Sequence, residues 1–246
     1  MVVSQNSIRI ATYNIHKSRG LDRQVSPNRV VKVLRELDAD IIALQEVVCT
    51  KGESLERDQG KFFAAALSYY YCVGETRRLR SGTYGNVVLS RTPVRAAYNY
   101  DLSWRRLARR GCLRADVELS NGQLLHIFNV HLGLAFAERR YQARKLVGPS
   151  ILANAELHEP RVVLGDFNDW TRGLPSRLLA KHLESVDVRH HLGRRRSYPG
   201  LLPLLHLDHI YFDPALQLQR LTLHRSRTAL VASDHVPLMA EFSLQS

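Results

Sequence analysis

Cysteine is nearly absent from this chain, and its pattern excludes two classes of protein at once. The three cysteines, Cys49, Cys72 and Cys112, are scattered, odd in number and without CxxC spacing. That argues against a disulfide framework and against a cysteine-ligated zinc site. No run approaches the roughly 18 apolar residues that a membrane span needs. The N-terminal segment MVVSQNSIRIATYN lacks the basic start and apolar stretch of a signal peptide, so a reducing cytoplasm is the expected compartment. Also missing are a GxSxG elbow, an HExxH pair, a Walker loop and a GxGxxG turn. Serine hydrolase, zinc protease, NTPase and Rossmann readings therefore lack support. With no Pro- or Gly-rich linker, low-complexity stretch or repeat, one domain over residues 1–246 is expected. A hydrophobic share of 45% is enough to give it a real core.

Acidic residues are in deficit, 23 against 35 lysines and arginines, for a formal net charge of +12. Much of the excess is arginine, grouped at Arg77-Arg78-Leu79-Arg80, Arg105-Arg106-Leu107-Ala108-Arg109-Arg110 and Arg194-Arg195-Arg196. A guanidinium fork matches phosphate oxygens two at a time, so the balance favours a polyanionic partner. Charge alone does not choose between nucleic acid and an anionic lipid headgroup, nor exclude a merely solvated surface.

Strand signals outnumber helix signals. Ile8–Ile15, Asp40–Val47, Tyr69–Val73, Gly85–Ser90, Val94–Tyr100, Leu113–Leu119, Leu124–Val130, Val162–Leu164, Leu207–Phe212, Leu216–Leu223 and Val236–Phe242 read as strands. Ser26-Pro27 opens an amphipathic helix through Val30, Val31, Val33, Leu34 and Leu37. Phe62–Leu67 and Glu138 to about Glu156, interrupted near Gly148-Pro149, are further helices, and Asn121-Gly122 marks a hairpin turn. Hairpins mixed with βα units suit an α/β sandwich of mixed sheets, not a purely parallel doubly wound sheet.

Seven short motifs run in order along almost the whole chain: TYN (12–14), LQEV (44–47), GNVVLSR (85–91), NVHL (129–132), GDFND (165–169), LDHIYF (207–212) and SDHVP (233–237). In all but GNVVLSR, an Asn, Asp, Glu or His ends an apolar run, which sets it at the rim of a sheet. Glu46 is expensive to bury unless it meets a cation, and Asn14 offers the neutral oxygen that Mg²⁺ accepts. Asp166 and Asn168, two residues apart after Gly165, are expected to point the same way. Asp166 could position or deprotonate water while Asn168 donates to a phosphoryl oxygen. Asp234 and His235 should diverge, one serving a metal and the other a phosphate. Asp208 is a fitting partner for His235, and an Asp208–His235 pair is expected. His131 is a second imidazole at a strand end. For each motif alone, a turn, a cap or a satisfied core histidine is the bland alternative.

Taken together, the ordered motifs resemble the endonuclease/exonuclease/phosphatase superfamily, from about Ile8 to Phe242. ATYNIHK, LQEV, GNVVLSR, NVHLG and GDFND look most like its small bacterial, YbhP-like branch. The resemblance implies a four-layered α/β sandwich, two mixed sheets face to face with helices outside. It also implies Mg²⁺- or Mn²⁺-dependent hydrolysis of a phosphoester. By motif, Glu46, Asn14 and Asp234 would serve the metal, and Asp166 and Asn168 the water and the phosphate. His235 with Asp208, together with His131, would stabilise the transition state or move protons. Arg114 and Asn86 are added as candidate contacts to substrate phosphate.

Three functions follow from this reading: a nuclease, a lipid or small-phosphodiester hydrolase, and a phosphate-binding pseudoenzyme. The second draws on the apolar stretch 198–205, which could line a substrate site, although burial is its expected fate. A monomer is expected.

Overall fold

The alternating strand and helix signals resolve, in a computed structural model, into two β-sheets with helices on their outer faces. The structure describes residues 7–50, 55–158, 160–169, 173–185, 198 and 205–244. The Arg194–Arg196 cluster and residues 199–204 of the apolar stretch lie outside the described residues.

The first sheet runs β11 (Leu216–Leu223), β12 (Leu238–Leu244), β1 (Ser7–Asn14), β2 (Ile41–Thr50), β4 (Gly82–Ser90), β3 (Tyr70–Leu79). The second runs β5 (Val94–Asp101), β6 (Gly111–Glu118), β7 (Leu124–His131), β8 (Arg161–Asp166), β10 (Asp208–Phe212), β9 (Glu184–Ser185). Each sheet has a parallel pair near its middle, β1 with β2 and β7 with β8, and its other ladders are antiparallel. Both parallel pairs end together at one end of the sandwich, the end where α/β sheets carry their ligands.

The inner faces of the sheets share one continuous apolar cluster that includes Ile10, Val88, Ile127, Leu164 and Ile210. Phe212 meets Phe242 across the seam with ring centroids 4.9 Å apart. Helix α1 (Pro27–Leu37) covers the first sheet through Val30, Val31, Val33, Leu34 and Leu37, and α2 (Gln59–Leu67) through Phe63 and Ala64. The start of α1 is set as its sequence suggests: Ser26 Oγ accepts from Arg29 N–H and Pro27 takes the first turn. On the far side, α3 (Phe136–Leu146) and α4 (Leu174–Leu179) bury Leu146 and Leu179 against Phe128, Val130, Val163 and Tyr211. A short α5 (Ala229–Ala232) precedes the SDHVP motif.

Several boundaries differ from those expected by a few residues, and two differ most. Helix α3 stops at Leu146, well before Glu156, because Gly148-Pro149 terminates it where a mere interruption was expected. Strand β3 continues past Val73 to Leu79 even though its apolar pattern ends. Pairing with Gly82–Gly85 of β4 holds that polar half.

Two residues of β2, Gln45 and Glu46, stand against the single Asn86 of β4, between the pairs Leu44–Val87 and Val47–Gly85. This bulge bends the strand and puts Glu46 in a left-handed conformation, φ 59°. Asn129 of the opposite sheet, fully buried, closes the gap. Its amide donates to the carbonyls of Leu44 and Val87, both at 2.9 Å, and its oxygen accepts from Gln45 Nε2 at 2.8 Å. The bulge is thus held from across the seam.

Candidate active site

The register of the second sheet sets three motif residues in a row: His131 pairs with Asp166, and Asp166 with Asp208. Strand alternation turns all three toward the seam, in phase with Ile127, Leu164 and Ile210. Asn14, at the end of β1, reaches across and donates to Asp166 Oδ2 at 3.0 Å. His235 comes from the segment before β12; its Nδ1–H donates to Asp208 Oδ2 at 2.9 Å, and its Nε2 lies 3.7 Å from Asp166 Oδ2. Five of the residues expected from the sequence therefore meet at the carboxyl ends of the two parallel pairs. Asp166 is 2% exposed and His235 4%.

Gly165 makes this approach feasible. Its φ is +145°, and a Cβ there would stand 1.9 Å from the Val130 carbonyl oxygen. Any side chain would push β8 off β7 just before Asp166. Beyond the strand the expected geometry changes. Asn168 is not the next inward residue of a strand: it is left-handed, φ 49°, and its N–H donates to Asp166 Oδ1 at 2.9 Å. The D-x-N sequence forms an Asx turn, and that turn holds the Asp166 carboxylate. The Asn168 amide donates to the Leu132 carbonyl at 2.9 Å, next to His131.

Burial dominates the electrostatics of Asp166 and raises its carboxyl to about 6, against the opposing pull of His235. Burial also disfavours a charged His235, but Asp208, Asp166 and Asp234 outweigh it and push the imidazole up to about 10. His131 goes the other way: burial, then the charges of Arg110, His235 and Lys17, hold it well below the usual imidazole value. Arg110 NH1 stands 2.9 Å from His131 Nε2. A guanidinium has no lone pair, so it is the donor, and His131 is neutral with its proton on Nδ1. Two adjacent imidazoles are thereby set in opposite charge states.

The bulge carries Glu46 to the same end. Its Oε2 lies 3.6 Å from Lys17 Nζ, and Tyr84 hydrogen-bonds to its carboxylate. Arg77 lies over the Tyr84 ring at 5.2 Å. Asp234 stands beside the same turn, at the lip formed by the segment before β12, where its Oδ1 is 3.5 Å from His16 Nδ1. Ser233 Oγ donates to the Asn14 carbonyl at 2.8 Å and ties that lip to β1. Asn14 itself is turned toward Asp166, with its Oδ1 accepting from His16 N–H at 3.1 Å.

Two expected phosphate contacts are not brought to this cluster. Arg114 points to the outer face of the second sheet, where its fork closes on Asp116 with two 2.7 Å bonds and its guanidinium lies over Tyr98. It is one residue out of phase with the inward Leu113 and Ala115, so the pleat sends it away from the seam. Asn86 does face the seam, but its amide is spent on the carbonyls of Gly111 and Asn129 and fastens sheet to sheet.

No single-residue signal in the sequence picks out His16, Lys17 or Arg110, which the fold brings to this site. His16, Lys17 and Ser18 have consecutive positive φ values of 45°, 59° and 61°. Such a left-handed turn costs about 1–3 kcal/mol per residue and persists only where the surroundings impose it. Here Gln59 Nε2 holds the Lys17 carbonyl at 3.0 Å. The turn sends His16 to Asp234 and Lys17 to Glu46. The one available signal was position, directly after TYN for the pair and at the end of an arginine cluster for Arg110. Arg110 also carries a buried Nε–H without a partner among the described residues.

The sequence pattern of the Endonuclease/Exonuclease/phosphatase family matches residues 11–235, and the chain belongs to that family, which includes phosphoesterases and nucleases. The Escherichia coli (strain K12) protein YbhP is 32% identical over 250 residues, covering 98% of each chain. Among solved structures, a Bacteroides thetaiotaomicron mannosyl-6-phosphatase superposes with a TM-score of 0.77 at 18% identity, over 96% of this chain and 100% of that one. The human Nocturnin catalytic domain, solved with a bound sulfate anion, gives 0.75 at 20% identity, over 97% and 95%. At such identities these structural likenesses speak for the fold, two mixed sheets in a sandwich with helices outside.

Proposed function

We propose that the chain is a divalent-metal-dependent phosphodiesterase of the nuclease type, working as one domain. The observation that carries this reading is the buried row His131–Asp166–Asp208 capped by His235, with acid and imidazole in complementary charge states. Hydrolysis of a phosphodiester adds charge to an anion, so the site needs donors on the equatorial oxygens, an oriented water and a proton for the leaving oxygen.

Asp166 suits the water. Its carboxylate is oriented by Asn14 and by the Asn168 N–H, and burial makes it a stronger base than a surface carboxylate. His235 carries a proton whose Nε2–H is directed by Asp208 behind it, which suits donation to a phosphoryl or leaving oxygen. Arg110 and Lys17 bring cationic donors from opposite sides. With His131 Nε2 accepting from Arg110, the donor on that side is the guanidinium, and His131 holds it in place.

Mg²⁺ or Mn²⁺ fits the donors present. Among the described residues no three acidic, histidine or cysteine side chains form a ready-made metal cage. A single Glu46 carboxylate brought in by a strained bulge suits Mg²⁺, which binds through one or two carboxylates and completes its shell with water and substrate phosphate. Glu46 would hold it, with Asn14 and Asp234 as further oxygen donors. The metal would supply Lewis-acid stabilisation of charge on the phosphoryl oxygens.

The test is hydrolysis of bis-p-nitrophenyl phosphate with Mg²⁺, Mn²⁺ or EDTA, beside supercoiled plasmid. Metal-dependent turnover of both supports a nuclease. Turnover of the small diester with intact plasmid moves the substrate to lipids or small phosphodiesters. Silence on both overturns the proposal.

A further inference from the structure

The lips of the cleft expose apolar side chains that the proposed chemistry does not use. On one side Leu107 lies in the β5–β6 loop, and Leu134 and Phe136 follow His131 directly; they are 44%, 66% and 55% exposed. On the other side Val25, 63% exposed, and Leu21 belong to the loop after Asn14, and Val231 to α5 just before Ser233. The Leu21 N–H donates to the Val231 carbonyl at 3.1 Å, which makes that lip one unit. Such residues on both sides of a polar cleft form a rim, not scattered surface positions.

Arginine is interleaved with them. Arg105, Arg106 and Arg109 are exposed in the same loop as Leu107, and the outward face of α3 carries Arg140, Arg144 and Lys145. The rim is therefore cationic and apolar together, a match for either an anionic bilayer or a nucleic acid.

The aromatic residues decide between the two. Single-stranded nucleic acid gains chiefly by stacking bases on open aromatic faces. Here Trp104 already has the Arg105 guanidinium 4.3 Å from its ring centre and the Tyr141 ring stacked at 6.3 Å. Phe136 has the Arg140 guanidinium over it at 5.5 Å. What remains outermost is branched aliphatic: Leu107, Leu134 and Val25 have no counterpart to bury against on a phosphate backbone. Lipid acyl chains offer one, and the arginines meet the headgroup phosphates.

We infer that the rim of the cleft is a peripheral membrane-docking surface that seats the domain, cleft down, on an anionic bilayer. No helix among the described residues is long and apolar enough to cross a membrane, so the contact is one of loops and helix faces at the interface. Seated this way, the cleft opens onto the phosphate layer of the headgroups. The inference takes from the proposed hydrolase only the position of the site, and binding needs no turnover, so the two readings fail separately.

The experiment is flotation of the whole chain with vesicles of phosphatidylcholine alone and of phosphatidylcholine with 30% phosphatidylglycerol. It is run beside a gel shift on a single-stranded oligonucleotide. The protein should float with the anionic vesicles and not with the neutral ones. The triple substitution Leu107→Ser, Leu134→Ser, Phe136→Ser should lower partitioning at least about tenfold, since each side chain forfeits its apolar burial. It should keep its far-ultraviolet circular dichroism spectrum and its hydrolysis of bis-p-nitrophenyl phosphate. Arg105→Gln with Arg106→Gln and Arg140→Gln should erase the preference for anionic lipid. Undiminished flotation of the triple variant overturns the inference, because charge alone would then suffice. So does a protein that ignores vesicles, whether it shifts the oligonucleotide or binds neither.

Discussion

Replacing Asn129 by alanine should unfasten the seam between the sheets at the point where Glu46 is aimed. The side chain makes three buried hydrogen bonds, to Leu44 O, Val87 O and Gln45 Nε2. Each is worth about 1 kcal/mol net, and a buried carbonyl left without its donor adds to the loss. Gln45 keeps Thr12 Oγ1 at 3.0 Å and the Ala43 carbonyl at 3.2 Å, so its share is at the low end. The sum is about 3–4 kcal/mol, a large part of the roughly 5–15 kcal/mol that holds a domain together. With a urea m-value near 3 kcal/mol/M, the unfolding midpoint should fall by about 1 M while m stays constant. Pairing the variant with Gln45→Leu should recover a coupling of about 1 kcal/mol in a double-mutant cycle. Urea unfolding monitored by circular dichroism gives all of these values. A midpoint within about 0.3 M of the wild type would refute the reasoning, since the amide would then be replaceable by its surroundings.

Glu46→Gln should reduce turnover of bis-p-nitrophenyl phosphate by about 10²–10⁴-fold. It should also abolish any Mg²⁺-dependent rise in melting temperature; a retained thermal shift would move the metal elsewhere. The pH profile of kcat/KM should climb as Asp166 ionises around 6 and decline as His235 loses its proton around 10. His235→Gln should remove the alkaline limb along with most of the rate, and an unchanged limb would exclude His235 as the proton carrier. Far from the site, burial disfavours a charged Asp116 but the hydrogen bonds of His126 and Arg114 hold its carboxyl below 3.8. A depressed folded pKa means the stabilisation is complete above the unfolded value and is lost as pH falls through the folded one. Asp116→Asn should therefore destabilise the chain at pH 7 more than at pH 3, measured by urea unfolding at both; an equal loss would mean that charge is not the cause.

The layers and most of the site's inventory are legible in the sequence. Strand-length apolar runs, Ser26-Pro27 at the start of α1 and polar residues at strand ends are local signals. Such signals stay legible because backbone propensity and periodicity act over a few residues. Both members of the Asp208–His235 pair stand out locally, each at the end of an apolar run, but their 2.9 Å contact joins segments 27 residues apart and is made by the fold. Register and phase between distant segments are settled only once the chain has folded. One step of the pleat turns Arg114 away to Asp116, and a two-against-one mismatch in the β2–β4 ladder aims Glu46. The left-handed turn at His16–Ser18 is held in part by Asn14 Oδ1 on the His16 N–H and in part by Gln59, far away in sequence, on the Lys17 carbonyl. The opposite charge states of His131 and His235 likewise come from the fold: burial, with Arg110 beside it, for one, and three carboxylates that outweigh burial for the other. Composition names the groups, but their ionisation is set by burial and by charges that arrive from other strands.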